Sequence, residues 1–122
     1  MRRLCEDCAK PAEAAPATTM FAAQVEARFP SLFASDASWR APGGCPSCHG
    51  TGYRGRVGVY ELIEFTPELQ QLVLRRASDA ELLQAARAQG FRTLREDGLI
   101  KASRGMTSIE EIFRVTGAED TA

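Results

Sequence analysis

Four cysteines are the side chains best placed to act together in this sequence. They fall into two pairs, Cys5-Glu6-Asp7-Cys8 and Cys45-Pro46-Ser47-Cys48. A C-x-x-C turn aims two thiolates at one point, so two such turns supply the four soft ligands of a tetrahedral metal. Cys5, Cys8, Cys45 and Cys48 account for every thiol in the chain. A set of four leaves no coordination position open for a substrate. The pattern therefore describes a structural Zn²⁺ site rather than a catalytic one. Gly50, Gly52 and Gly55 follow the second pair and permit tight backbone paths beneath a metal. Tyr53 is placed to cover the apolar side of the site. The spacer between the pairs, residues 9–44, is longer than in a compact zinc ribbon.

Other chemistries compete for the same residues. Cys45-Pro46-Ser47-Cys48-His49 fits the C-x-x-C-H pattern of haem attachment. That reading requires export, residues 1–20 contain no apolar core of a signal peptide, and it leaves Cys5 and Cys8 without a role. Gly50-Thr51-Gly52-Tyr53-Arg54-Gly55 fits G-x-G-x-x-G. A dinucleotide site needs a strand before the glycines and a helix after them, and here a cysteine turn precedes strand-like sequence. Disulfide pairing and thiol–disulfide exchange through Cys45 and Cys48 are further options. The first is disfavoured without a secretory signal, and the second lacks a βαβ setting. His49 reads as a turn residue, with ligation as the alternative.

The bulk composition is that of an ordinary soluble domain: 122 residues, 44% hydrophobic, 25% charged, formal net charge −1. Such a balance gives no electrostatic case for nucleic acid. No apolar run approaches the roughly 20 residues of a membrane-spanning helix. A soluble, cytoplasmic chain is expected.

These ligands must be positioned by the elements around them. Residues 10–17 are rich in proline and alanine and read as a linker. Thr18 or Thr19 then caps a short amphipathic helix carrying Met20, Phe21, Val25 and Phe29, which Pro30 bounds. Trp39 is expected to pack against the cysteine lobe or this insertion helix, with an anchor for a partner as the alternative. Arg56 to Phe65 is β-branched and aromatic, with apolar residues on both faces, as in a strand buried inside a sheet. Glu61 within it is expected either to pair with Arg54 or Arg56 or to lie on an exposed edge.

From Thr66 the punctuation turns helical. Thr66-Pro67-Glu68 supplies a cap, a proline at the first turn and an acid. Ser78-Asp79-Ala80-Glu81 and Thr93-Leu94-Arg95-Glu96 are capping boxes, and Thr107-Ser108-Ile109-Glu110-Glu111 opens a fourth helix. Gly90 and Gly105 are the stops, and Gly98 is an anomaly within the third helix, costing about 1 kcal/mol against alanine. Arg75, Arg76, Arg87, Arg92, Arg95 and Arg104 read as solvated faces. The expected fold class is α+β, mostly α: a four-cysteine zinc lobe with a strand or hairpin, then a small bundle of about four helices. The expected domains are a zinc-binding lobe at 1–55 with a helical insertion, a strand at 56–65, and a helical bundle at 66–122. Lobe and bundle are expected to be separable.

Several ordered blocks resemble the C-terminal region of the type II secretion and type IV pilus assembly ATPases, the family of general secretion pathway protein E. They are Arg3-Leu4-Cys5-x-x-Cys8, then Gly44-Cys45-x-x-Cys48-x-Gly50-Thr51-Gly52-Tyr53-Arg54-Gly55-Arg56-x-Gly58-x-Tyr60-Glu61-Leu62, then Thr93 to Leu99 and Gly105 to Glu111. The resemblance covers most of the chain outside Pro11–Pro42. It implies a zinc held by Cys5, Cys8, Cys45 and Cys48, and a strand at 56–65 that returns to the core sheet of an ATPase. The parent it implies is a hexamer that uses ATP and Mg²⁺ at the inner face of the inner membrane. Its implied partners are the rest of that protein, its hexamer neighbours and the cytoplasmic part of the membrane platform. The sequence departs from that parent in lacking a G-x-x-x-x-G-K-[ST] phosphate loop and an acidic strand end for Mg²⁺. It therefore reads as an excised fragment or a truncated reading frame that does not hydrolyse ATP alone. Cys45-x-x-Cys48-x-Gly50-x-Gly52 also resembles the zinc repeat of DnaJ-type co-chaperones. That repeat implies peptide binding, but this chain has one complete copy where a domain has four.

Overall fold

The computed structural model describes residues 1–12, 20, 23, 24, 27 and 38–117. Most of the expected insertion helix lies outside the described residues; Met20, Ala23, Gln24 and Ala27 are helical and exposed.

Strand β1 (Arg2–Leu4) pairs antiparallel with β4 (Tyr53–Arg56), aligning Arg2 with Arg56 and Leu4 with Tyr53. Between those two points the register slips by one residue. Gly55, at φ 81°, takes up the extra residue of β4 as a bulge. A second short ribbon, β2 (Lys10–Pro11) with β3 (Arg40–Ala41), closes the two flanks of the insertion against each other. The Ala12 N–H extends it by donating to the Trp39 carbonyl at 3.0 Å.

Four helices follow, mostly where the capping signals place them: α1 (Pro67–Leu74), α2 (Asp79–Ala88), α3 (Leu94–Ser103) and α4 (Ile109–Thr116). Each begins on a side-chain oxygen that accepts from a backbone N–H of its first turn. Thr66 accepts from Leu69, Ser78 from Glu81, Thr93 from Glu96 and Ser108 from Glu111. Gly90 and Gly105 follow the ends of α2 and α3 with φ of 91° and 74°. The fold is thus mostly α, with small two-stranded sheets. Among the described residues no helix is long and apolar enough to cross a membrane.

The bundle is built as two pairs, α1 on α2 and α3 on α4. Helix α3 is the central element, since Glu96 to Ile100, Ala102 and Ser103 are all buried. Leu99, Ala102 and Ile112 form the apolar cluster, against which Met1, Trp39 and Ile109 pack. Trp39 thus packs on bundle helices α3 and α4, a placement its sequence context did not offer. Gly98 is explained by the same cluster. A Cβ there would lie 3.2 Å from Ile112 Cγ1 and 3.2 Å from Met1 Cε, so the missing side chain lets α3, α4 and the start of the chain approach.

The structure corrects several expectations. Arg56 to Phe65 is not one strand: β4 ends at Arg56, and residues 57–65 form no regular element. Val57 still exchanges two backbone hydrogen bonds with Met1, at 2.9 and 3.1 Å. Beyond it no described segment lies alongside to continue a ladder, and a strand exists only through its partner. Of the two readings of Glu61 the exposed one holds: it is exposed, pairs with neither Arg54 nor Arg56, and accepts from the Leu94 N–H at 2.9 Å, satisfying an orphan donor at the start of α3. Arg87 does not lie on a solvated face. It reaches Glu96 at 2.7 Å in an ion pair that is mostly buried between α2 and α3. Arg95 likewise lies over the Phe113 ring at 5.1 Å and donates to Thr116 Oγ1 and the Gly117 carbonyl.

Candidate metal centre

Both C-x-x-C segments fold into tight turns whose carbonyls gather their own following N–H groups. The Cys5 carbonyl accepts from Ala9 at 3.0 Å, and the Cys45 carbonyl accepts from Gly50 at 2.9 Å. Pro46–Cys48 forms a single 3₁₀ turn, and His49 ends it in the left-handed conformation, φ 56°. This is the turn-residue role expected of His49, which is exposed and outside the cysteine group. The two turns are joined where the Cys5 N–H donates to the Gly52 carbonyl at 2.9 Å.

The four thiol sulfurs converge, all lying within 4.8 Å of one another. Cys5 and Cys45 are 3.8 Å apart, Cys8 and Cys48 3.8 Å, and Cys45 and Cys48 3.7 Å. No disulfide links them. A tetrahedron with metal–sulfur bonds of about 2.3 Å has sulfur–sulfur edges of about 3.8 Å, so the donor set fits a single metal ion. Cys5 and Cys48 are buried, and Cys8 and Cys45 are partly so.

Backbone amides also point at the sulfurs. Gly44 N–H donates to Cys8 Sγ at 3.1 Å, and Cys48 Sγ accepts from Gly52 at 3.1 Å and from Cys45 at 3.3 Å. Burial pushes the Cys48 thiol up, but the N–H groups of Cys45 and Gly52 with the neighbouring thiols outweigh it and bring Cys48 down to about 6. Cys5 is pushed up to about 11, chiefly by burial, with the Asp7 backbone N–H working against the shift and the three other thiols adding to it. Four sulfurs in so small a volume cannot all be thiolates unless a cation shares the space. Metal binding here would release protons.

Tyr53, next to the Gly52 that bonds Cys48 Sγ, turns its hydroxyl toward the helices. Its hydroxyl lies 2.6 Å from Ser108 Oγ, and the Arg2 guanidinium stacks 4.2 Å from its ring centroid. Arg2 in turn reaches Glu111, whose side chain is fully buried. Sequence reasoning passed over Arg2, Ser108 and Glu111 because each reads locally as an exposed charge or a helix cap. Their shared meeting point is set by strand and helix packing.

A family model described as type II/IV secretion system protein matches residues 1–114. The chain belongs to that family. It is 39% identical to the type IV pilus assembly ATPase PilB of Pseudomonas aeruginosa over 94% of this chain and 19% of that protein. It is 38% identical to the type II secretion system protein E of Pectobacterium carotovorum over 98% of this chain and 22% of that protein. With the type II secretion system protein E of Xanthomonas campestris it shares 52% identity over 54% of this chain and 12% of that protein. The chain spans about a fifth or less of the length of these relatives.

Proposed function

We propose that this chain is the zinc-bearing C-terminal module of a type II secretion or pilus assembly ATPase. In this reading it serves assembly of the motor and its coupling to the inner-membrane platform, and has no phosphoryl-transfer chemistry of its own. The observation that carries the reading is the convergence of the Cys5, Cys8, Cys45 and Cys48 sulfurs to within 4.8 Å of one another in a chain whose relatives include a pilus assembly ATPase and a type II secretion system protein E. Soft thiolates in a closed set of four select zinc and leave it no substrate position. The metal then acts as a cross-link between the two cysteine turns. ATP and Mg²⁺ belong to the parent protein, whose remaining chain and hexamer neighbours are the module's partners, at the cytoplasmic face of the inner membrane.

Residues 57–65 support a larger parent. Leu62 is 83% exposed, and Tyr60, Ile63 and Phe65 are exposed beside it. Among the described residues the N–H groups of Leu62 and Ile63 donate to nothing. An exposed apolar segment with unused backbone donors is suited to join a sheet as a strand. The ATPase core is the partner proposed for it.

Elemental analysis of protein produced with zinc supplied tests the site, with one zinc per chain expected. In cells carrying the full-length ATPase, Cys45→Ser with Cys48→Ser should reduce secretion at normal protein level. A metal-free folded chain, or unimpaired secretion by the double variant, defeats the proposal. Turnover of ATP by the 122-residue chain above the buffer rate defeats the division of roles.

A further inference from the structure

We infer that Glu111 is a positioning residue for the cysteine site, joining metal occupancy of the lobe to the placement of helix α4. The inference rests on the zinc reading above and extends it to a group on the far side of strand β1.

The geometry is a clamp closed on the strand that leads into the first ligand. The Arg2 backbone N–H donates to Glu111 Oε1 at 2.8 Å, and its guanidinium reaches Oε2 at 2.9 and 3.1 Å. Arg114 also donates to both carboxylate oxygens, at 2.7 and 2.8 Å. Two further bonds hold β1 to the segment before α4. Thr107 Oγ1 donates to the Arg2 carbonyl at 2.9 Å, and the Leu4 N–H donates to the Met106 carbonyl at 3.0 Å. Cys5 follows Leu4 directly, and its N–H is tied to Gly52, which also donates to Cys48 Sγ. From Glu111 to two of the four sulfurs the path is therefore a short run of hydrogen-bonded backbone.

This arrangement bears on the expected independence of lobe and helices. A buried carboxylate with five N–H donors has one low-energy position, and displacing Arg2 leaves it poorly satisfied in the interior. A lobe that loosens when its metal leaves pulls on Arg2 and therefore on α4. Coupling of this kind is reciprocal: whatever metal binding adds to the hold on α4, an intact clamp adds to the hold on metal.

The test uses the full chain loaded with Zn²⁺, and with Co²⁺ as a spectroscopic probe. Glu111→Gln keeps the shape and removes the charge. It should speed release of zinc to a chelator by about fivefold or more, the lower end of typical coupling, while the Co²⁺ spectrum stays that of a tetrahedral thiolate site. In the unmodified chain, chelation should lower hydrogen-exchange protection in α4, and Glu111→Gln should reduce that response. Arg2→Lys keeps the backbone donor but loses the planar fork. It should shift release in the same direction by less, and it serves if Glu111→Gln does not fold. Leu69→Ala, which damages the α1–α2 pair instead, should leave release unchanged. Equal release rates for Glu111→Gln and the unmodified chain, equal effects of Glu111→Gln and Leu69→Ala, or α4 protection indifferent to metal would each overturn the inference. Failure of the unmodified chain to take up either metal would instead strike the zinc reading.

Discussion

The hydroxyls of Tyr53 and Ser108 meet at 2.6 Å although 55 residues separate them in sequence. Ser108 Oγ also accepts from the Glu111 N–H at 3.1 Å, so one buried oxygen both caps helix α4 and receives a side chain from the strand beyond the second cysteine turn. Tyr53→Phe removes one hydrogen bond and should cost about 1 kcal/mol. Ser108→Ala removes that bond and the cap together, and should cost about 2 kcal/mol. Thermal unfolding ranks the two, at about 4 °C per kcal/mol for a domain of this size. Equal shifts would mean that the two bonds of Ser108 do not act together.

Acid should loosen the joint through Glu111. Hydrogen bonds from Arg114 lead in holding its carboxyl well below its ordinary value of 4.5; burial opposes them, and Arg2 adds to the lowering. A group with a depressed folded pKa contributes stability that is fully present above its unfolded pKa and is lost as pH falls toward the folded one. Urea unfolding between about pH 3 and 7 should therefore show stability falling below about pH 4.5 in the unmodified chain. Glu111→Gln should flatten that fall, because glutamine has no proton to take up. Parallel pH profiles would refute this.

Gly52→Ala should damage the metal site more than its size suggests. Gly52 has φ 82°, and a Cβ there would lie 2.4 Å from Pro42 Cβ and 3.0 Å from Pro42 Cα. The left-handed backbone and the collision together should cost about 2–4 kcal/mol. Gly52 also bonds both cysteine turns, so bound zinc per chain should fall in the variant. Alanine at Gly50, where nothing lies within 4 Å, faces only the backbone penalty and should retain more zinc. Metal content of the two variants decides the matter.

Leu62→Asp should separate the chain from its parent. In the 122-residue chain Leu62 is exposed, and its replacement should change stability by no more than about 0.5 kcal/mol. In the full-length protein the same change places a charge where a sheet partner is proposed, and soluble assembled protein should drop. Thermal unfolding of the short chain and gel filtration of the long one are the two readouts. A fully assembled long variant would leave the strand proposal without support.

Much of the local architecture was legible because its causes are local. Thr66, Ser78, Thr93 and Ser108 begin helices because a side-chain oxygen satisfies an N–H three residues on. Nothing distant is needed for that. The clustering of the four thiols was legible for the same reason, since a C-x-x-C turn gathers its own sulfurs, and no other thiols compete for the second pair.

The partners of charged and extended segments were not legible. Helix α3 has no clear apolar stripe because it is buried nearly all round, and its acids find partners from other elements. Glu96 meets Arg87 of α2, and Asp97 meets the Tyr60 N–H as well as Lys101 one turn along. Residues 57–65 carry strand-like sequence, yet extended backbone is stabilised across a ladder rather than along the chain, and beyond Val57 no described ladder partner is present. By itself the sequence determined which residues could bind metal, where helices begin, and the family to which the chain belongs. Tertiary structure alone decided that Arg2, Tyr53, Ser108 and Glu111 meet at one joint between cysteine lobe and helix. Long-range pairs of this kind are selected by the fit of packed surfaces, and no spacing in the chain encodes that fit.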